Sequence, residues 1–155
     1  MAAVDLKINP NMAKVTLKSV PDQPGIAAEV FSAMGEQGVN VELLSTIATG
    51  KGRGDISFAV PEQEMERVAP LLESLRQRLG AKKTETDRGV SLVSLYGEKL
   101  SGDPSFSSKL FKSLAKEGIN LQMISQSVSA LSFLVDRAKL DRAASILRGT
   151  GEIEG

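Results

Sequence analysis

The chain carries one stretch of sequence twice, and this duplication constrains its fold more than any other feature. Phe31 and Phe111, Pro24 and Pro104, and the tetrapeptides Gly38-Val39-Asn40-Val41 and Gly118-Ile119-Asn120-Leu121 all stand 80 positions apart (111 less 31, 104 less 24, 118 less 38). Further on the spacing falls to 75: Ile56-Ser57-Phe58-Ala59-Val60 lies against Leu131-Ser132-Phe133-Leu134-Val135 (131 less 56), and Met65, Val68 and Leu72 lie against Leu140, Ala143 and Leu147. The glycine-rich segment 50–54, present only in the first copy, absorbs the difference. A chain of 155 residues has room for two small domains of about 70 residues each. We expect them at 1–80 and 81–155, with an exchange of strands between them left open.

The periodicity within each copy gives its elements. Residues 13–20 alternate, with Val15, Leu17 and Val20 among polar neighbours, as a half-buried strand does. Asp22-Gln23-Pro24-Gly25 then makes a turn. Ile26, Ala27, Val30, Phe31 and Met34 recur at helical spacing, and Gly38 stands where a helix C-cap belongs. Residues 39–48 predict a second strand, 49–54 a turn and 55–60 a third strand. Pro61 opens a helix with Val68, Leu71, Leu72 and Leu75 on one face. The second copy repeats the order: strand 90–95, helix 106–117 ended by Gly118, strands 119–128 and 131–136, helix 139–147. Strand–helix–strand–strand–helix is the split-βαβ, ferredoxin-like pattern, an α+β fold with an antiparallel sheet and its helices on one face.

Such a unit normally has a fourth strand after its second helix, and the second copy offers only the short, glycine-rich residues 149–155 there. Each copy is instead preceded by an extra strand and turn: 4–8 before Asn9-Pro10-Asn11, and 82–86 before Asp87-Arg88-Gly89. We therefore expect a hairpin partner of strand one in the fourth-strand position, with 4–8 paired to 15–20.

Composition removes whole classes of chemistry. With no Cys and no His, the chain cannot build a thiolate or imidazole metal site, a disulfide, a Cys nucleophile or a Ser-His couple. Carboxylate or lysine chemistry alone stays open. Nineteen basic residues balance nineteen acidic ones, which is no electrostatic footprint for nucleic acid or an anionic membrane. The N-terminus lacks a basic segment followed by an apolar one, and no apolar run approaches the ~18 residues of a membrane span, so a cytoplasmic protein is expected. Aromatic residues are only 4%, so the core must be aliphatic, and Met34, Met65 and Met123 fall on apolar positions that suit it.

In order and in duplicate, several stretches resemble the tandem ACT domains of the aspartate kinase regulatory region. They are the run from Lys14 to Ala28 with Val20-Pro21-Asp22-Gln23-Pro24-Gly25-Ile26-Ala27 at its centre, the paired segments Val39-Asn40 and Ile119-Asn120, Asp55-Ile56-Ser57-Phe58, and Met123-Ile124-Ser125-Gln126-Ser127. The resemblance covers nearly the whole chain and implies two βαββαβ domains of ACT type. It further implies a non-catalytic, dimeric module that senses an aspartate-pathway amino acid, typically lysine or threonine, with no cofactor and no metal. Carried over residue by residue, Asp22, Pro24, Gly25, Ile26 and Ala27 match the effector loop, and Asn120 and Leu121 match the strand of the other kind of copy that faces it. A reciprocal site uses Asn40 and Val41 with Asp103 and Pro104. Nothing here resembles the phosphate motif of the kinase part, so the expected partners are a second copy of the chain and an aspartate kinase catalytic subunit, or else the chain is an excised region. The alternatives are a ligand-free dimerisation or scaffolding module and a stand-alone sensor for another amino-acid enzyme.

A free amino acid presents a carboxylate and an ammonium. The unpaired N–H groups around Gly25, Ile26 and Ala27 suit the first, and Asp22 can take the second or cap the helix. On spacing alone a plain turn with an N-cap aspartate is the better reading of Asp22-Gln23-Pro24-Gly25; the resemblance reverses this. Asn40 and Asn120 fit a repeated structural need or a pair of ligand sites equally well. Gly50-Lys51-Gly52-Arg53-Gly54 lacks the spacing of a phosphate loop and is expected to be a flexible hairpin tip, and the Arg53-Gly54-Asp55 triplet carries little weight as an adhesion motif. Ser101, Ser105, Ser107 and Ser108 suit a solvated helix start. Compared with the family, the second copy has a longer first loop, Ser105 in place of a glycine and Val128 in place of an acidic residue, while Thr46 stands where glutamine is common. These departures favour one good type of site, and threonine over lysine.

Overall fold

The computed structural model describes residues 4–155, which fall into two compact units: Met12–Arg88, and residues 4–11 with Gly89–Gly155. The division at 80/81 follows the two sequence copies; each compact unit takes in a strand from across it.

In the first unit, β1 (Val4–Pro21, of which 12–21 belong here) is followed by α1 (Ile26–Glu36), β2 (Leu43–Gly50) and β3 (Arg53–Pro61). A helical run then leads to β4 (Lys83–Tyr96), whose first residues close the unit. The strand order is β2-β3-β1-β4, with β1 and β2 antiparallel to β3. Val15 faces Phe58 and Leu17 faces Ile56 across β1 and β3, so one face of the sheet is apolar. Against it pack Val30, Ala33 and Met34 of α1 and Val68, Leu72, Leu75 and Leu79 of the later helices, in a single core. Burying each large aliphatic side chain there stabilises the fold by roughly 1.5–3 kcal/mol.

The helical run does not start and stay regular as Pro61 suggested. A 3₁₀ turn (Glu62–Glu64) precedes α2 (Met65–Val68), and a second one (Ala69–Leu71) separates it from α3 (Leu72–Leu79). Pro70 is the cause: it has no N–H to give to the preceding turn, so the helix tightens around it.

The second unit repeats the plan. After β4 come α4 (Lys99–Gly102), α5 (Pro104–Lys116), β5 (Gln122–Gln126), β6 (Ala130–Asp136), a 3₁₀ turn (Arg137–Lys139), α6 (Leu140–Arg148) and β7 (Ile153–Glu154). The order is β5-β6-β4-β1, with β7 parallel to β1 at Val4 and Asp5. Val93 faces Phe133 and Leu95 faces Leu131, matching the register of the first unit. Even the polar pairs on the opposite face recur: Thr16 Oγ1 and Ser57 Oγ lie 2.8 Å apart, as do Ser94 Oγ and Ser132 Oγ.

The expected hairpin at Asn9-Pro10-Asn11 does not form. β1 runs straight through these residues, so 4–8 do not pair with 15–20 but serve as the fourth strand of the second unit, where Val4 and Leu6 join the core of Phe106, Leu114 and Phe133. In the same way 83–88 continue into 89–96 as one strand without the turn expected at Asp87-Arg88-Gly89, and their first half fills the fourth position of the first unit. Pro10 has no N–H to give to a ladder, and its carbonyl is taken by side chains: Ser91 Oγ donates to it at 2.7 Å and Arg137 Nε at 2.9 Å.

Two apolar expectations also change. Phe31 lies a helical step beyond the buried stripe of α1 and is 50% exposed, while Met123 is only half-buried, at φ +51° beside a bulge in β5. Among the described residues no helix is long and apolar enough to cross a membrane.

Candidate functional site

The site is built where β1 gives way to α1. Ser19 sits at φ +54° and interrupts the β1/β3 register between Leu17 and Val20. This bulge turns Val20, Pro21 and Asp22 towards the head of the helix. The Asp22 N–H donates to the Gly52 carbonyl at 2.8 Å, which anchors the loop to the β2–β3 turn. Gly25 is the N-cap at φ +98°, a conformation that L side chains avoid, and no side chain caps the helix. The Gly25 carbonyl accepts from Glu29 N at 3.0 Å, so the N–H groups of Ile26, Ala27 and Ala28 have no acceptor within the helix. Nothing lies within 4 Å of where a Gly25 Cβ would stand. The result is an open helix start whose dipole and free donors suit an anion.

Beside it lies a hollow of about 280 Å³, lined by Asp22, Gly25, Ile26 and Ala27, by Thr46 and Ile47 of β2, and by Gly54, Asp55 and Ile56 of β3. Ile47 is 65% exposed there. The Asp22 carboxylate has no hydrogen bond or ion pair among the described residues. Pro24 lines a neighbouring hollow with Gln23, Glu29 and Arg78.

The glycine-rich segment is the tip of the β2–β3 hairpin, as its place between two strands predicts. Gly50 pairs with Arg53, leaving Lys51 and Gly52 as a two-residue turn with both φ values positive (+57° and +71°), as a type I′ hairpin requires. Gly54 has to be glycine because a Cβ would stand 2.8 Å from the Ile47 carbonyl oxygen. Both charged members of Arg53-Gly54-Asp55 turn inward onto the bulge. Asp55 takes Lys18 Nζ at 2.8 Å and the Ser19 N–H at 2.9 Å. Arg53 Nε donates to Ser19 Oγ at 2.8 Å, and its Nη2 donates both to the Ser19 carbonyl and, at 2.7 Å, to the Gly80 carbonyl. The hydrogen bond from Lys18, then that from Ser19, hold the Asp55 carboxyl below the usual carboxylate range. The same bond from Lys18 to Asp55 raises the Lys18 ammonium above its ordinary value.

The matching start of α5 is closed. Asp103 is its N-cap, accepting from Ser105 N at 3.1 Å and from Ser105 Oγ at 2.7 Å, with Pro104 at the first helical position. The Ser105 hydroxyl is the main reason the Asp103 carboxyl lies below its usual range, with Lys99 at 3.5 Å adding to it. Lys99 is itself raised, first by Glu152. Where Lys18 and Asp55 form their ion pair in the first unit, the register puts Tyr96 opposite Ala130 in the second.

The residues matched to the facing strands precede those strands. After Gly38 at φ +70° the Val39 N–H still closes back on the Met34 carbonyl at 2.9 Å, and β2 begins only at Leu43. Asn40 is therefore exposed and Val41 packs on the first core from a connecting run. The second copy does the same: the Ile119 N–H bonds the Leu114 carbonyl at 3.1 Å, β5 begins at Gln122, and Asn120 and Leu121 lie between. The sequence thus named Asp22, Gly25, Ile26 and Ala27 of the lining and marked Thr46 as a departure from the family, whereas Ile47 and Asp55 were missed as its wall. Their signal is the bulge at Ser19, which no periodicity shows.

Models of the ACT domain match residues 15–80 and 93–150. The aspartokinase of Mycolicibacterium smegmatis is 34% identical over 87% of this chain and 32% of its own length. That of Helicobacter pylori is 28% identical over 96% of this chain and 36% of its own length. The chain thus spans about a third of the length of the curated relatives it matches. Among solved structures, the regulatory subunit of aspartate kinase from Thermus thermophilus superposes with a TM-score of 0.84 at 26% identity, covering 93% of this chain and 95% of that one. A duplicated βαββαβ plan, matched in both halves by one family's models, makes this chain a member of the ACT-domain family that carries two copies of the domain.

Proposed function

We propose that the chain is the amino-acid-sensing regulatory part of an aspartate kinase, and that its effector binds in the hollow at the head of α1. The carrying observation is the uncapped helix start at Gly25 beside an unpaired Asp22 carboxylate. The effector carboxylate takes the N–H groups of Ile26 and Ala27, its ammonium takes Asp22, and its side chain lies against Ile56 and Thr46.

Charge favours threonine over lysine. Lysine brings two ammonium groups, and the second carboxylate of the hollow, Asp55, already holds Lys18 and the Ser19 N–H. Threonine needs only a hydroxyl partner, which Thr46 supplies. The closed start of α5 supports a single working kind of site, because the Asp103 carboxylate already takes the Ser105 N–H at the loop where the reciprocal site with Asn40 and Val41 was expected. Asn120 and Leu121 enter on the family resemblance alone, and Asn120→Ala decides whether they take part.

The kinase reaction belongs to a partner or to further sequence, and the chain acts in this proposal as a homodimer. A thermal-shift panel over the twenty amino acids at millimolar concentration tests it. A ligand that binds only the folded state stabilises it by about 2.7 kcal/mol at a hundred times its Kd, and the melting temperature rises accordingly. A selective rise with threonine is expected; a flat panel rejects the proposal.

A further inference from the structure

The Arg53 guanidinium holds the bulge at Ser19 and the turn at the end of α3 together. Its contacts at one end are the Ser19 carbonyl and hydroxyl, on the left-handed residue immediately before Val20-Pro21-Asp22. At the other end it takes the carbonyl of Gly80, which sits at φ +71° as the C-cap of α3 and turns the chain towards β4. A backbone bond runs beside it, from the Lys82 N–H to the Lys18 carbonyl at 2.8 Å. Asp55 fixes the other side of Ser19 by accepting its N–H, so the bulge is clamped from both directions.

We propose that Arg53 is a positioning residue that carries the state of the hollow to the head of β4. A planar, permanently charged fork is the group that can give parallel donors to two carbonyls on separate segments. When a ligand orders Val20, Pro21 and Asp22, the Ser19 carbonyl is fixed, and the shared guanidinium fixes Gly80 with it. The loop thereby acts on the strand that leaves this unit and continues through Gly89 as the central strand of the second. Lys51, two residues away on the turn, carries the same charge without such contacts and is the internal control.

The effector half of this inference rests on the reading of the hollow as an amino-acid site, and amide hydrogen exchange on the full chain separates the two. Without ligand, Arg53→Met is expected to speed exchange at both Asp22 and Lys82 by about tenfold or more, as loss of charge-assisted bonds implies. Phe58 and Val60 stay unchanged, and Lys51→Met has no effect at any of the four. Unchanged exchange at Lys82 in Arg53→Met overturns the proposal, and so does an equal rise at Phe58 and Val60, which marks general loosening. With millimolar L-threonine, the original chain is expected to gain protection at Asp22 and Lys82, and Arg53→Met at Asp22 alone. Protection of Lys82 that survives in Arg53→Met overturns the proposal. If L-threonine protects neither amide in the original chain, the threonine reading of the hollow fails while the ligand-free comparison still decides the role of Arg53.

Discussion

Asp103 accepts the backbone N–H of Ser105 at 3.1 Å and so closes the start of α5 with the chain's own carboxylate, whereas Gly25 leaves the equivalent start of α1 with no side-chain cap. One duplicated helix start is satisfied internally and the other is open. The two copies therefore share a scaffold and differ at this helix start.

Asp103→Ala is expected to lower the urea midpoint, since it removes an N-cap and leaves the Ser105 N–H to solvent. Asp22→Ala is expected to leave the midpoint unchanged, because its carboxylate caps nothing, yet to weaken amino-acid binding. Equilibrium unfolding and titration calorimetry on the two variants check the contrast. Equal loss of stability in both contradicts it.

The Lys18–Asp55 pair sets an acid and an alkaline limit. The Asp55 carboxyl is depressed in the folded state, so its contribution is complete above the unfolded value, roughly pH 4, and is lost as pH falls through the folded one. Lys18 is raised, so its contribution is complete below roughly pH 10.4 and is lost as pH rises through the folded value. In Asp55→Asn, unfolding measured from pH 7 to pH 2 should show lower stability at neutrality and a shallower fall below pH 4.

Strand exchange makes a third test. Leu6 is 6% exposed in the second core although it precedes the first copy in sequence. Leu6→Ala is expected to cost about 2–5 kcal/mol and to disturb methyl resonances near Phe133, not those near Phe58. Phe58→Ala, at about 3–5 kcal/mol, should do the reverse.

The sequence shows the elements plainly because apolar spacing survives duplication: Val15 and Val93, Phe58 and Phe133 keep the same partners in both units. It misled at Asn9-Pro10-Asn11, where turn-forming residues stay extended because Ser91 and Arg137 satisfy the Pro10 carbonyl from afar. No local pattern reports such distant donors. The loop beside the hollow was legible from Asp22 to Ala27 by residue type, and the wall was not. Gly25 announces a helix start by residue type, whereas Thr46 and Asp55 reach the hollow only through the bulge at Ser19 and the register of β2 on β3.

The most direct measurement is titration calorimetry of L-threonine into the full chain and into Gly25→Val, with urea unfolding alongside. Gly25→Val places a branched side chain at φ +98° in the mouth of the helix start. Saturable binding to the original chain is expected, with loss of at least about tenfold in affinity, or 1.4 kcal/mol, in a variant that still unfolds cooperatively. Saturable binding of equal strength to both proteins, or no binding of any aspartate-family amino acid to the original chain, contradicts the proposed site.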